Sequence, residues 1–144
     1  MLKFLLTSIL RKIKNNAVGL KHRYVVLKKF QVNLKLGSKI SNPENITIGK
    51  GFGISPFCQL FAQGKLGDAE IVIGDNVGLN YNVMINADGG GTITIGDNVR
   101  IGPYTVLRAA NHKFSDVSIP ICEQGHNPGR IIIEEDVWLG AHVS

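Results

Sequence analysis

Three of the four histidines, His112, His126 and His142, fall in the last third of the chain, and they bracket its least regular stretch. A neutral imidazole can take a proton at neutral pH, and three imidazoles together can hold a zinc ion that keeps an open position for water. His112 lies in Asn111-His112-Lys113-Phe114-Ser115-Asp116, at the start of an irregular run through Pro120, Gly125, Pro128 and Gly129. Beyond it, Ile133-Glu134-Glu135-Asp136-Val137-Trp138-Leu139-Gly140-Ala141-His142 restores regular spacing and carries the only tryptophan. Cys122 lies in the irregular run without the His and acid partners of a thiol hydrolase, so nucleophilic catalysis by sulfur is not expected. Each of these residues also has an ordinary structural role. A loop histidine is usually solvated, an asparagine often satisfies turn backbone, and a lone tryptophan usually packs.

The element that must position them is a repeat. Aliphatic residues recur every six positions at Ile48, Ile54 and Leu60, at Ile73, Leu79 and Ile85, at Ile95, Ile101 and Leu107, and at Ile133 and Leu139. Many are followed by glycine and polar residues, as in Ile73-Gly74-Asp75-Asn76-Val77-Gly78 and Ile95-Gly96-Asp97-Asn98-Val99-Arg100. A hexapeptide period marks a parallel β-helix, in which three short strands and three corners make a coil of about 18 residues. Each hexad points its Ile or Leu inward, and Val77, Val99, Thr105 and Val137 fill the corner beside it. Equivalent hexads are separated by 25, 22 and 38 residues (48 to 73, 73 to 95, 95 to 133), so the coils carry extras of 7, 4 and 20 residues. The longest, over about 112–130, has the length and turn chemistry of a functional loop. The repeat breaks off inside the fourth coil, after two of three hexads, as in a truncated form.

Charge divides the chain. Residues 1–43 hold ten Lys or Arg and no Asp or Glu, whereas 44–144 hold six and eleven, so a net charge of +5 is the sum of +10 and −5. Phe4, Leu5, Ile9 and Ile13 share one helical face, and Tyr24-Val25-Val26-Leu27 forms a second apolar segment between basic residues. Residues 1–32 therefore read as a basic amphipathic helical arm, which either packs its apolar face on the prism or meets an anionic membrane. No nucleic-acid-reading motif accompanies the charge, so nucleic acid is not an expected partner. The apolar run Phe4 to Leu10 is short and ends in Arg11-Lys12 without a small-residue cleavage site, unlike a signal peptide. Two cysteines, Cys58 and Cys122, make no disulfide framework and suit a reducing compartment. The expectation is a cytoplasmic protein whose arm offers peripheral contact with the inner membrane face.

The combination of Asn80-Tyr81-Asn82, Ile95-Gly96-Asp97-Asn98-Val99-Arg100-Ile101-Gly102-Pro103, Ala110-Asn111-His112, Ile119-Pro120 and Glu135-Asp136-Val137-Trp138-Leu139-Gly140-Ala141-His142-Val143 resembles the hexapeptide-repeat sugar O-acetyltransferases of the galactoside and maltose group. The resemblance covers about residues 45–144. It implies an all-β fold, a left-handed parallel β-helix over 33–144, assembled as a homotrimer with the site between subunits. The implied reaction moves an acetyl group from acetyl-CoA to a sugar hydroxyl on a surface polysaccharide or glycolipid precursor. His112 matches the general base, Asn80 the acceptor contact, Trp138 the wall of the acetyl-CoA channel and the Ala141 backbone N–H the oxyanion donor, and the step requires no metal. Family members continue with further hexads beyond the point where this sequence stops. Two alternatives stand beside this expectation. One is a zinc enzyme of the β-helical carbonic anhydrase type built on His112, His126 and His142. The other is a non-catalytic β-helix used for assembly.

Overall fold

A computed structural model describes residues 19–21, 23–64 and 69–144, so the Phe4 to Ile13 segment lies outside the described residues. Contacts divide the chain into two compact units, Met1–Asn33 and Leu34–Ser144. The first unit is helical at 19–21 and 23–30. It ends where Gln31 adopts a left-handed φ of 55° and its N–H donates to the Leu27 carbonyl at 2.8 Å, the bond that closes a helix C-terminus. Among the described residues no helix is long and apolar enough to cross a membrane.

The second unit is built from short strands. After β1 (Lys39–Ser41), one coil comprises β2 (Ile46–Ile48), β3 (Gly53–Ile54) and β4 (Gln59–Phe61). The next holds β5 (Glu70–Ile73), β6 (Gly78–Leu79) and β7 (Met84–Asn86), and the third β8 (Thr92–Ile95), β9 (Arg100–Ile101) and β10 (Val106–Arg108). A hairpin of β11 (Ala110–His112) and β12 (His126–Pro128) intervenes before β13 (Arg130–Ile133) and β14 (Trp138–Leu139). Three faces result: β1-β4-β7-β10, β2-β5-β8-β13 and β3-β6-β9-β14. Every pairing within them is parallel, which makes the unit a parallel β-helix.

Register explains how coils of unequal length stack. Ile46 pairs with Ile71, Ile54 with Leu79 and Leu60 with Ile85, an offset of 25 on each face. The next offset is 22 on each face, from Ile71 to Ile93, Leu79 to Ile101 and Ile85 to Leu107. From Ile93 to Ile131 and from Ile101 to Leu139 it is 38. Extra residues therefore never disturb the alignment of inward side chains. Ile73, Leu79, Ile85, Ile95 and Ile101 are buried as expected. Ile48, on the edge strand β2, and Leu139, in the last coil, stay partly exposed. The face of β2, β5, β8 and β13 also directs a second residue inward, so Ile46, Ile71 and Ile93 are fully buried beside the one-per-hexad set. Each such side chain contributes about 1.5–3 kcal/mol through removal from water.

Two of the three corners are fixed two-residue turns. Gly51, Asn76, Asn98 and Asp136 hold positive φ at one, and Phe57, Asn82, Tyr104 and His142 at the other. The Ile-Gly-Asp-Asn repeat follows from the first of these corners. Asp75 and Asp97 each accept a backbone N–H, from Lys50 and Asp75 respectively, at 2.7 Å. A Cβ at Gly49 or Gly74 would overlap that carboxylate, so glycine keeps the bridge open. Inside the second corner Cys58, Val83 and Thr105 are fully buried, and the Thr105 hydroxyl donates to the Gly140 carbonyl at 3.0 Å. All three excursions leave from the third corner, between β4 and β5, β7 and β8, and β10 and β13.

Candidate functional site

The third corner gathers the titratable side chains. Within the long excursion Ala110 pairs with Pro128, Asn111 with Asn127 and His112 with His126, antiparallel. The base of this hairpin is tied to the prism because Gly129 N–H donates to Ala109 O at 2.6 Å and Thr92 N–H to Gly129 O at 3.1 Å. Directly opposed residues bring side chains together, and the His112 and His126 rings lie with centroids 4.3 Å apart, tilted by 38°. His112 faces solvent, whereas His126 is half-buried against the preceding excursion.

That excursion is the turn Ala87-Asp88-Gly89-Gly90-Gly91. Asp88 accepts the Gln63 N–H at 2.5 Å, and Gly89 N–H donates to Gln63 O at 3.4 Å. Gly89 has φ +91°, and a Cβ there would stand 2.9 Å from His126 Cγ, so the imidazole occupies space that only glycine leaves free. Gln63, Gly64, Asp88, Gly89, Gly125 and His126 line an open cleft of about 570 Å³ beside the pair. Farther out, Asp116 accepts from the Ser118 N–H at 2.9 Å and from the Ser118 hydroxyl at 2.5 Å, which holds its carboxyl below the usual carboxylate range. Gln124 fastens the same loop by donating to the carbonyls of Asp116 at 2.7 Å and Ile119 at 3.1 Å. The loop thus presents Phe114, Val117, Ile119 and Ile121 to solvent on an ordered frame.

The other expected site residues lie elsewhere. Asn80 follows β6, and its Oδ1 accepts the Tyr81 N–H at 2.8 Å while its carbonyl accepts the Cys58 thiol at 2.8 Å. Trp138, on β14 opposite Arg100, is 79% exposed and shares a shallow depression with Ser55, Gly78, Asn80, Arg100 and Gly102. Ala141 is exposed in the turn after β14, where its N–H donates to no backbone carbonyl among the described residues. One surface therefore carries Asn80 and Trp138, and another corner carries His112 with His126.

His142 belongs to neither cluster. It stacks on Tyr104 at 5.1 Å with planes 5° apart, so the chain does not bring it to His112 and His126. Among the described residues no group of three or more His, Cys, Asp or Glu is arranged to hold a metal. Cys58 is fully buried, and burial pushes its thiol pKa up, which suits packing and not reactivity. The zinc alternative groups His126 with His112, but the hairpin pairing that opposes them and the glycine turn behind His126 are not read from the sequence. Two histidines separated by 14 positions, one at each end of an irregular run, were the available signal for a hairpin across its base.

No protein-family model matches the chain. It is 29% identical over 127 residues to Probable acetyltransferase Rv3034c of Mycobacterium tuberculosis, with 74% of this chain and 41% of that protein covered. It also resembles AntD, an N-acyltransferase from Bacillus cereus, solved in complex with dTDP and 3-hydroxybutyryl-CoA, at 26% identity and a TM-score of 0.58. A mutant AntD bound to dTDP-4-amino-4,6-dideoxyglucose and coenzyme A matches at 26% identity and a TM-score of 0.57. Each AntD match covers 74% of this chain and 55% of AntD. The chain thus spans about half, or less, of the length of these relatives, and it is similar to acyltransferases in both sequence and fold.

Proposed function

We propose that the protein transfers an acetyl group from acetyl-CoA to a sugar hydroxyl, with His112 as general base. The observation that carries this is the His112–His126 pair, held by a hairpin tethered to the prism with His126 lining an open cleft, in a chain that resembles AntD, solved with CoA ligands. A hydroxyl is a weak nucleophile at neutral pH. His112 takes its proton as the oxygen attacks the thioester carbonyl, the Ala141 N–H receives the developing oxyanion, and the imidazolium returns the proton to the departing CoA thiolate. Trp138 walls the donor channel, and Asn80 contacts the acceptor.

These four residues do not meet within one copy. We take residues 33–144 as the catalytic domain, a left-handed β-helix, and 1–32 as an arm. In the proposed homotrimer the His112 corner of one copy faces the Trp138 and Ala141 surface of the next. Exposure of Phe114, Val117, Ile119 and Ile121 on an ordered loop supports such a contact. The acceptor fits a surface polysaccharide or glycolipid precursor.

A second reading is favoured by one observation: AntD is an N-acyltransferase and was solved with an amino sugar nucleotide. Incubation with acetyl-CoA and matched hydroxyl and amino sugars, followed by mass spectrometry, separates ester from amide product. His112→Ala is expected to lower ester formation by about 10²–10⁴-fold with CoA affinity kept. Parental turnover by that variant would remove the general-base assignment, and amide alone would replace the hydroxyl acceptor by an amine. Light scattering tests the trimer.

A further inference from the structure

The helix of the first unit carries an exposed apolar stripe that acyl transfer does not use. Leu20, Tyr24 and Leu27 are spaced i, i+4 and i+7 in the sequence, the spacing of one helical face. They are 70%, 59% and 47% exposed, whereas Val26, on the other side of the helix, is fully buried. At 3.6 residues per turn, Lys21 and Lys28 flank this stripe on one side. The Lys28 ammonium stands 5.7 Å from the centroid of the Tyr24 ring, so its stem runs along the stripe and its charge lies at the border. No Asp or Glu occurs in residues 1–43 to oppose these cations.

We propose that this face docks on an anionic lipid surface. The two leucines enter the boundary between headgroups and acyl chains, Tyr24 sits at headgroup level, and Lys21 and Lys28 reach lipid phosphates. The chemistry favours lipid over two other occupants. A nucleic acid would neutralise the cations but leave the leucines in water. A second copy of the same face would bring Lys21 and Lys28 against equal charges. A bilayer of anionic lipid accepts both the stripe and its borders.

The test is sedimentation of the full chain with vesicles of phosphatidylcholine, with or without phosphatidylglycerol, and it does not depend on acyl transfer. Binding is expected only with phosphatidylglycerol, and it should weaken as salt rises. Leu20→Ser/Leu27→Ser should weaken it at least about tenfold through lost apolar burial. Lys21→Gln/Lys28→Gln should weaken it by about tenfold or more. All four positions are exposed, so circular dichroism should match the parent for both variants. Failure to sediment with phosphatidylglycerol at low salt would overturn the proposal. So would leucine-variant binding equal to the parent, which would leave a purely ionic attraction of the kind nucleic acid also satisfies. Self-association abolished by the leucine changes, without vesicle binding, would assign the face to a second copy instead.

Discussion

Substituting Gly89 by alanine should disable the His112–His126 pair without touching either histidine. The added Cβ would stand 2.9 Å from His126 Cγ, closer than such atoms are found, and 3.1 Å from its Cβ, a tight contact, so the imidazole must shift. Backbone strain accompanies the clash, because a residue with a side chain at φ +91° costs about 1–2 kcal/mol. Gly125 provides the control. It borders the same cleft at φ +78°, but a Cβ there meets nothing within 4 Å, so Gly125→Ala carries the strain alone. Both variants should lose stability in thermal melts, Gly89→Ala the more because it adds the clash to the strain. Only Gly89→Ala should lose turnover, by about 10²-fold if His112 shifts by an ångström or so once its neighbour moves. Acetyl transfer is followed as free CoA by chromatography, which avoids thiol reagents that would also label the exposed Cys122. His126→Ala should fall by a similar factor, and adding Gly89→Ala to it should cost little further turnover, since the ring whose displacement matters is gone. Equal turnover of the Gly89 and Gly125 variants, or fully multiplicative losses in the double variant, would refute this coupling.

Trp138→Ala should raise the dissociation constant for CoA in calorimetry while turnover at saturating donor changes little, because the proposed apolar wall would hold the donor and move no proton. Ile95→Asp buries a carboxylate at a fully buried position and should unfold the stack in circular dichroism, whereas Ile132→Asp, at a position 53% exposed, should fold. In the folded protein at neutral pH, iodoacetamide should label Cys122 and spare Cys58, whose thiol is buried with a raised pKa; mass mapping before and after denaturation checks this.

The prism was legible because its coils repeat the same inward residue. The spacings 25, 22 and 38 visible in Ile48, Ile73, Ile95 and Ile133 are the register offsets of the stacked strands. The second inward isoleucine, at Ile46, Ile71 and Ile93, escaped because a six-residue count marks one position per hexad and not the alternation within a four-residue strand such as β5 or β8. Site geometry was less accessible. His126 looked like a loop residue because the pairing that sets it opposite His112 has no period, and the glycine that makes room for it sits in a different coil. Asn80 reads as an amide free to bind, yet its oxygen already serves the Tyr81 N–H, a contact set by the local turn.

Placing every length change at one corner separates two tasks along the same chain. At the other two corners a deletion of one residue would throw each later isoleucine out of register. At the third, a segment of any length returns to the same strand position, provided its ends remain as close as Ala109 and Gly129. This edge of the prism is therefore a grafting port. Exchanging residues 113–125 for loops of other sequence and length should alter what the cleft accepts while leaving the stacked coils intact. A scaffold of this kind can change its substrate by editing one border and keep its architecture fixed.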